Sequence, residues 1–247
     1  MERDGYLKRV RIVLVDTQDG ANIGSACRAA KTMGIERLAI VGGREYDEDR
    51  VRTLALHASD VWENAERFQT LEEALKDSIF TVGATRRRGK FRKMSAYSPE
   101  QLSDKLKELP DGDISIVFGR ESDGLRDDEV ALCSSIVTID TSERFPSLNL
   151  SQAVQIICYA LFQGAGKYKS GMTAVTHDRI RTAGKEMADH LEAMGYFKLA
   201  DERKWTEQLL VDICERAALS ESEMQRFEKI FRKAELIAKH KEASGEV

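Results

Sequence analysis

The chain has 247 residues, of which 42% are hydrophobic and 32% are charged, with a formal net charge of -4, four cysteines and three prolines. This length supports a conventional hydrophobic core, and the composition excludes collagen-like, disulfide-scaffold and wholly disordered proteins. The slightly acidic balance argues against a nucleic-acid partner, which usually requires a basic surface.

The N-terminus and the cysteines predict a cytoplasmic protein. Four charged residues, Glu2, Arg3, Asp4 and Lys8, precede a short apolar run, so we expect neither a signal peptide nor a transit peptide. No apolar stretch approaches the roughly 20 residues that span a bilayer, so no membrane partner is expected. The four cysteines lie far apart without a C-x-x-C pair, which predicts reduced structural thiols and no metal site.

Apolar runs of strand length alternate with helix-period segments through the first two thirds of the chain. This rhythm predicts an α/β fold with a mostly parallel sheet. The expected strands are 9–15, 38–41, 79–83, 114–118 and 136–139. Helices are expected over 22–33, after Thr70, after Ser98 and around 154–161, where N-capping residues or an apolar face mark them.

Glycines and small polar residues interrupt both periodicities over residues 163–173, which predicts a flexible linker. The sequence beyond this point has helical periodicity only. We therefore predict a catalytic domain over residues 1–164, a linker over 165–173 and a small all-helical extension over 174–247.

Three motifs combine glycines with polar residues just after predicted strands, where α/β sheets place their ligand sites. The first motif, residues 19–28, is a turn that runs into a helix carrying Arg28. The second, residues 118–125, holds the sequence FGRESDGL. The third, residues 145–151, interleaves polar groups with leucines in FPSLNLS, directly before an apolar helix.

These motifs, in this order and followed by a linker and a helical tail, resemble the three motifs of the SPOUT superfamily of RNA methyltransferases. The resemblance is to the TrmH-like ribose 2'-O-methyltransferases. Residues 29–34 and 191–197 are similar to the TrmJ branch, which methylates a ribose in the tRNA anticodon loop. The resemblance implies a deep trefoil knot that forms the cofactor pocket, and a homodimer whose two subunits both build each active site.

The resemblance also implies S-adenosylmethionine as the cofactor, held mainly by backbone groups, and no metal. The positions that match the family's cofactor contacts are Ala84, Thr85, Gly119, Ile139, Pro146, Ser147 and Leu148. Ala84 departs from the pattern because it replaces a hydroxyl residue.

Transfer of a methyl group to a ribose hydroxyl requires an aligned donor, removal of a proton and stabilisation of the developing alkoxide. Arg28 matches the family's central catalytic residue. Because arginine stays protonated, we expect it to bind the nearby phosphate and stabilise the alkoxide rather than act as a base. We expect Glu121 to accept the proton or to orient Arg28. We expect Asn22, Ser147 and Asn149 to position the substrate and the cofactor through hydrogen bonds.

A basic run directly follows the strand whose end belongs to the predicted pocket. Its cations are Arg86, Arg87, Arg88, Lys90, Arg92 and Lys93, with Phe91 among them. Such a run is often only a solvated loop, but an interleaved aromatic residue suits contacts with RNA phosphates and bases.

Together with the residues that carry it, the resemblance implies a cytoplasmic, dimeric, S-adenosylmethionine-dependent 2'-O-methyltransferase acting on the pyrimidine at position 32 of tRNA. One alternative is a ribosomal RNA target, although the helical tail favours tRNA. A second alternative is a dinucleotide-binding protein. The absence of a G-x-G-x-x-G sequence after the first strand argues against it. A third alternative is a non-catalytic RNA-binding module. The presence of the polar residues of all three motifs argues against it.

Overall fold

The structure is a computed structural model, and it describes residues 5–86, 96–165, 173–199 and 201–244. The chain divides into two compact units, Met1–Gly171 and Met172–Val247. Most of the predicted linker, residues 166–172, lies outside the described residues.

The first unit is built on a parallel sheet. Its described strands are β1 (Val10–Val15), β2 (Arg37–Val41), β3 (Glu66–Phe68), β4 (Ser78–Ala84), β5 (Ala96–Tyr97), β6 (Asp113–Phe118) and β7 (Ser135–Val137). They lie in the order β3-β2-β1-β6-β4-β7-β5, and every pairing is parallel. The predicted α/β class with a parallel sheet is confirmed.

The α-helices of this unit lie between these strands in the chain and after the last of them. They are α1 (Gly20–Thr32), α2 (Glu48–Ala55), α3 (Ser59–Glu63), α4 (Leu71–Leu75), α5 (Pro99–Glu108), α6 (Asp127–Ala131) and α7 (Leu150–Gly164). All six residues of β1 are buried, as expected for a strand covered on both faces of a parallel sheet. Across the part of the chain that the structure describes, no helix is both long and apolar enough to cross a membrane.

The strand order brings the predicted motifs together. The first motif follows β1, the second follows β6 and the third follows β7, while the residues after β4 precede the basic run. Because β1, β6, β4 and β7 are consecutive neighbours and all parallel, their carboxyl ends share one edge of the sheet.

The local capping signals in the sequence are realised. Thr70 and Glu73 form a capping box at α4, and Ser98 and Gln101 form another at α5. The helix of the first motif begins at Gly20 rather than Asn22, because Asp19 is its N-cap and accepts a hydrogen bond from the backbone of Ala21. The strand predicted to end at 139 ends at Val137.

The second unit contains three long helices, as its periodicity predicts: α8 (His177–Ala193), α9 (Glu202–Ala217) and α10 (Glu221–Ser244). Its core includes Ile180, Met187, Val211 and Met224, all buried. The backbones of Ala174 and Ser220 form an isolated bridge that joins the segment before α8 to the start of α10.

Gly24 fixes how closely α1 packs against α2. A Cβ built on Gly24 would lie 2.2 Å from the carbonyl oxygen of Val51 and 2.9 Å from the amide nitrogen of Ala55. Both of these atoms belong to the backbone of α2, so rotation of a side chain cannot relieve the clash.

Gly24→Ala is therefore expected to destabilise the protein although alanine is the better helix former. The loss of packing outweighs the gain of about 1 kcal/mol in helix propensity, leaving a net loss of about 2 kcal/mol. Urea unfolding monitored by circular dichroism measures this change. The control is Ser25→Ala on the same helix, for which about 0.5 kcal/mol or less is expected. Equal stability of the two variants would contradict the packing argument.

Candidate active site

One carboxylate, that of Glu121 in the second motif, links the motifs at the carboxyl edge of the sheet. It accepts hydrogen bonds from the backbone nitrogens of Gln18 (2.8 Å) and Asp19 (3.3 Å) and from Asn22 Nδ2 (2.8 Å). Asn149 of the third motif donates from Nδ2 to Asn22 Oδ1 at 2.8 Å. Asn22 thus donates to the second motif and accepts from the third, which fixes the orientation of its amide.

The third motif is held at the start of α7. Asn149 is the N-cap of this helix: its Oδ1 accepts from Ser151 N at 2.8 Å, and its own N–H donates to Gln152 Oε1 at 3.1 Å. The amide nitrogen that contacts Asn22 is therefore on a side chain already anchored by a helix terminus.

The segment leading into α1 is braced from α2 as well. Arg50 makes a bidentate ion pair with Asp19, Nε to Oδ1 at 2.9 Å and Nη2 to Oδ2 at 2.9 Å. The backbone hydrogen bond from Ala21, followed by the hydrogen bond from Arg50, lowers the pKa of Asp19. The carboxylate that caps α1 is thereby held in its charged form.

A pocket opens beside these motifs, and the space within it and its open mouth amounts to about 670 Å³. Among its lining residues are Ala84, Thr85, Arg86, Gly119, Arg120, Glu121, Val137, Ile139, Thr141, Pro146 and Leu148. Six of the seven positions predicted to contact the cofactor are in this set. Ser147 is not in it, and its side chain is exposed.

Gly119 allows the second motif to fold back on itself at the pocket wall. A Cβ at this position would lie 2.1 Å from the carbonyl carbon of Gly124 and 2.2 Å from the nitrogen of Leu125. The backbones of Arg120 and Gly124 exchange two hydrogen bonds, of 3.2 and 2.8 Å, which close the turn. Only glycine permits this approach of two backbone segments.

Comparison with known proteins identifies the family. Residues 9–159, which contain all three motifs, match the model of the SpoU rRNA Methylase family. The chain belongs to this family. The resemblance seen in the three motifs is thus confirmed, and the protein is a methyltransferase of the SpoU type.

Relatives match beyond the motifs. The tRNA (cytidine-2'-O-)-methyltransferase TrmJ of Methanocaldococcus jannaschii is 37% identical over 155 residues, covering 62% of this chain and 67% of that protein. The uncharacterized tRNA/rRNA methyltransferase LasT of Escherichia coli K12 is 35% identical over 208 residues, covering 82% and 89%. The crystal structure of TrmJ from Z. mobilis ZM4 superposes with a TM-score of 0.74 at 27% identity, covering 91% of this chain and 98% of that one.

In this SpoU methylase, the predicted pairing of Glu121 with Arg28 is not formed. The Glu121 carboxylate is engaged with Asn22 and the backbone before α1. Arg28 lies six residues after Asn22 on α1, a rise of about 9 Å, and it is exposed and outside the set that lines the pocket.

Of the predicted RNA-binding residues, Arg86 is described: it is exposed and lines the pocket. Arg87, Arg88, Lys90, Arg92 and Lys93 lie outside the described residues. Among the residues that are described, no group of three or more His, Cys, Asp or Glu side chains could hold a metal ion.

Sequence reasoning missed four charged residues of this edge: Asp16, Arg50, Arg120 and Glu129. The guanidinium of Arg120 pairs with Asp16 and Glu129. A local signal existed for Glu129, the third of three consecutive acids that open α6. No sequence pattern connects Asp16 or Arg50 to the motifs they contact.

Glu121→Gln should measure how strongly this carboxylate holds the motifs together. Glutamine keeps one acceptor oxygen but replaces the other with a donor, so either the hydrogen bond from Gln18 to Oε2 or those from Asp19 and Asn22 to Oε1 are lost, and the rest lose their charge assistance. We expect a loss of about 1 kcal/mol in unfolding free energy, below the roughly 1.5–3 kcal/mol usual for hydrogen bonds to charged groups, because the group is half-exposed. Urea unfolding gives the value, with Asp123→Asn in the same motif as the control. A loss no larger than that of the control would exclude a structural role for the carboxylate.

Proposed function

We propose that the protein is an S-adenosylmethionine-dependent tRNA ribose 2'-O-methyltransferase that acts on the pyrimidine at position 32 of the anticodon loop. The observation that carries this proposal is the hydrogen-bonded chain from Glu121 through Asn22 to Asn149, beside a pocket, in a member of a methylase family. Support for tRNA comes from the M. jannaschii and Z. mobilis relatives, which are both TrmJ proteins. A ribosomal RNA target remains the second candidate, because the family model is named for rRNA methylation.

The lining of the pocket fits S-adenosylmethionine. Gly119 leaves backbone exposed where a Cβ has no room, and Val137, Ile139 and Leu148 offer apolar surface for an adenine ring. Thr85 is held against β7 by a backbone hydrogen bond to Val137 at 3.0 Å, which keeps this wall in place. When bound, the cofactor supplies an activated methyl group.

The residues of this chain bind and orient the acceptor ribose. The fixed amides of Asn22 and Asn149 stand at the edge where the ribose must approach, and the exposed hydroxyl of Ser147 is adjacent in the third motif. Glu121 acts chiefly by positioning, since its carboxylate is already hydrogen-bonded by three donors. Arg28, permanently charged and exposed, binds the neighbouring phosphate and stabilises the alkoxide.

The position of Arg28 favours a homodimer. Arg28 lies outside the lining of its own subunit's pocket, and a second subunit whose α1 faces that pocket would bring it there. Apolar side chains suited to such an interface, Ile156 (37% exposed) and Tyr159 (52% exposed), lie on α7, which packs against α1. We include in the proposal the trefoil knot, the domain limits 1–164 and 174–247, and a cytoplasmic location, where tRNA is found.

Methyl transfer from tritiated S-adenosylmethionine to purified RNA tests the function. We expect label in tRNA, mapped to the 2'-oxygen of position 32, and none in tRNA already methylated there. Ribosomal RNA from cells lacking the gene is assayed in parallel. Label in ribosomal RNA alone would replace the tRNA proposal by its alternative, and no label in either RNA would contradict both.

Arg28→Ala should separate chemistry from cofactor binding. Loss of one cation that stabilises the developing alkoxide is expected to lower kcat by roughly 100- to 1,000-fold, while the Kd for S-adenosylmethionine changes by no more than about twofold. Single-turnover methylation and isothermal titration provide the two values. The control is Lys31→Ala, one turn further on α1, whose ammonium is paired with Asp60. Normal turnover by Arg28→Ala would overturn the assignment.

A further inference from the structure

Arg120 bridges two carboxylates from different parts of the fold. Its guanidinium pairs with Glu129 in a bidentate manner, Nη1 to Oε2 at 2.9 Å and Nη2 to Oε1 at 2.9 Å, and Nη2 also donates to Asp16 Oδ2. The side chains of Arg120 and Glu129 are each only 10% exposed. Glu129 in addition accepts from the backbone nitrogen of Arg126 at 2.7 Å, which anchors it at the start of α6.

Asp16 directly follows β1, and the approach to α1 begins there. Its N–H donates to the carbonyl oxygen of Val41 at 2.9 Å, so its backbone is tied to β2. Its φ of 46° lies in the left-handed region, which aspartate tolerates better than most residues. The Arg120–Asp16 pair therefore joins the second motif to a fixed point just before the first.

Arg120 directly precedes Glu121, and the turn that contains both is closed by the two backbone hydrogen bonds between Arg120 and Gly124. A shift of the Arg120 side chain away from Asp16 and Glu129 would therefore move Glu121. The three hydrogen bonds that Glu121 makes with Gln18, Asp19 and Asn22 depend on its present position.

We propose that Arg120 is a positioning residue of the methyl-transfer site, which acts through Asp16 and Glu129 to hold Glu121 against the approach to α1 and thereby to place Asn22. This inference rests on the proposed function. It assigns no contact with the reacting atoms to Arg120, although Arg120 is part of the pocket wall. Asp16 and Glu129 are not in the pocket lining, and this difference makes the inference testable.

Three variants, Arg120→Met, Asp16→Asn and Glu129→Gln, test it. If Arg120 acts by position, loss of any of the three groups misplaces Glu121, and each variant should lower kcat by roughly 10- to 100-fold. If Arg120 instead contacts the substrate or cofactor directly, these variants should impair turnover while the hydrogen bonds of Glu121 to the amides of Gln18 and Asp19 keep their strength, and that outcome would overturn the proposal. Should Arg120→Met fail to fold, the two carboxylate variants still decide between these outcomes.

Arg37→Met is the matched control for lost stability. Arg37 makes a bidentate ion pair with Asp113, at 2.5 and 2.7 Å, between the first residues of β2 and β6, at the opposite edge of the same sheet. We expect this variant to lower the Tm but to keep kcat at a temperature where it is folded. A loss of turnover in Arg37→Met equal to that in Asp16→Asn would mean that general destabilisation explains both, against the proposal.

Amide hydrogen exchange provides a measurement that needs neither RNA nor cofactor. The amides of Gln18 and Asp19 donate to Glu121, so they should exchange about tenfold faster in Asp16→Asn and Glu129→Gln, while the amide of Val13 within β1 keeps its protection. Unchanged exchange at Gln18 and Asp19 would refute the inference even if the protein methylates tRNA. Faster exchange in these variants, together with a wild-type protein that methylates no RNA, would support the role of Arg120 in holding Glu121. It would refute the proposed function alone.

The double variant that combines Arg120→Met with Glu121→Gln tests whether the two residues affect turnover through the same interaction. Since Arg120 is proposed to act through Glu121, the double variant should lose little more turnover than Glu121→Gln alone. Losses that multiply would show that the two side chains act independently and would overturn the proposal. Arg120→Lys, which keeps the charge but not the bidentate geometry, is expected to restore only part of the turnover lost in Arg120→Met.

Discussion

The hydrogen bonds of the Glu121 carboxylate are the constraint on which the candidate site depends. They join residues that are about a hundred positions apart: the approach to α1 together with Asn22 in its first turn, and the turn after β6. A negative charge at this place is favoured by the N-terminal end of the α1 dipole. Through Asn22 the constraint extends to Asn149 at the start of α7, so that two helix N-termini and one turn are held as a single polar unit.

This unit can form because of the order of the strands. β1 and β6 are neighbours, β4 pairs with β6, and β7 pairs with β4. Parallel pairing places the carboxyl ends of all four strands at one edge of the sheet. The loops that follow these strands therefore lie next to one another at that edge. Gly119 then lets the second motif turn back sharply enough for Glu121 to face α1 instead of solvent.

The sequence predicted those features that arise from contacts between residues close in the chain. β1, β2, β4 and β6 are buried on both faces and so appear as continuous apolar runs, and the capping boxes at Thr70 and Ser98 need only residues three apart. β3 was missed because it is an edge strand with exposed Glu66 and Arg67, and β5 because its two residues become a strand only by pairing with β7.

The polar contacts of the site were beyond such reasoning. Asn22 and Glu121 are 99 residues apart, Asn22 and Asn149 are 127 apart, and Asp16 and Arg120 are 104 apart. The motifs indicated that Asn22, Glu121 and Asn149 share a site, but which side chain donates to which depends on strand order and on the turn at Gly119. Glu121 was accordingly assigned a partner, Arg28, that the fold places further along α1.

The same contacts explain how a chain with a net charge of -4 presents an edge on which an RNA phosphate can settle. Four acids of this edge are engaged internally: Asp19 with Arg50, Asp16 and Glu129 with Arg120, and Glu121 at the positive end of α1. A charge paired at short range produces a weak field at a distance, and salt screens what remains beyond roughly 8–10 Å. Arg28 and Arg86, by contrast, have exposed side chains in the first compact unit of the chain. The ion pairs that hold the motifs together therefore also lower the negative potential that an approaching polyanion would meet, and the local field rather than the net charge governs its binding.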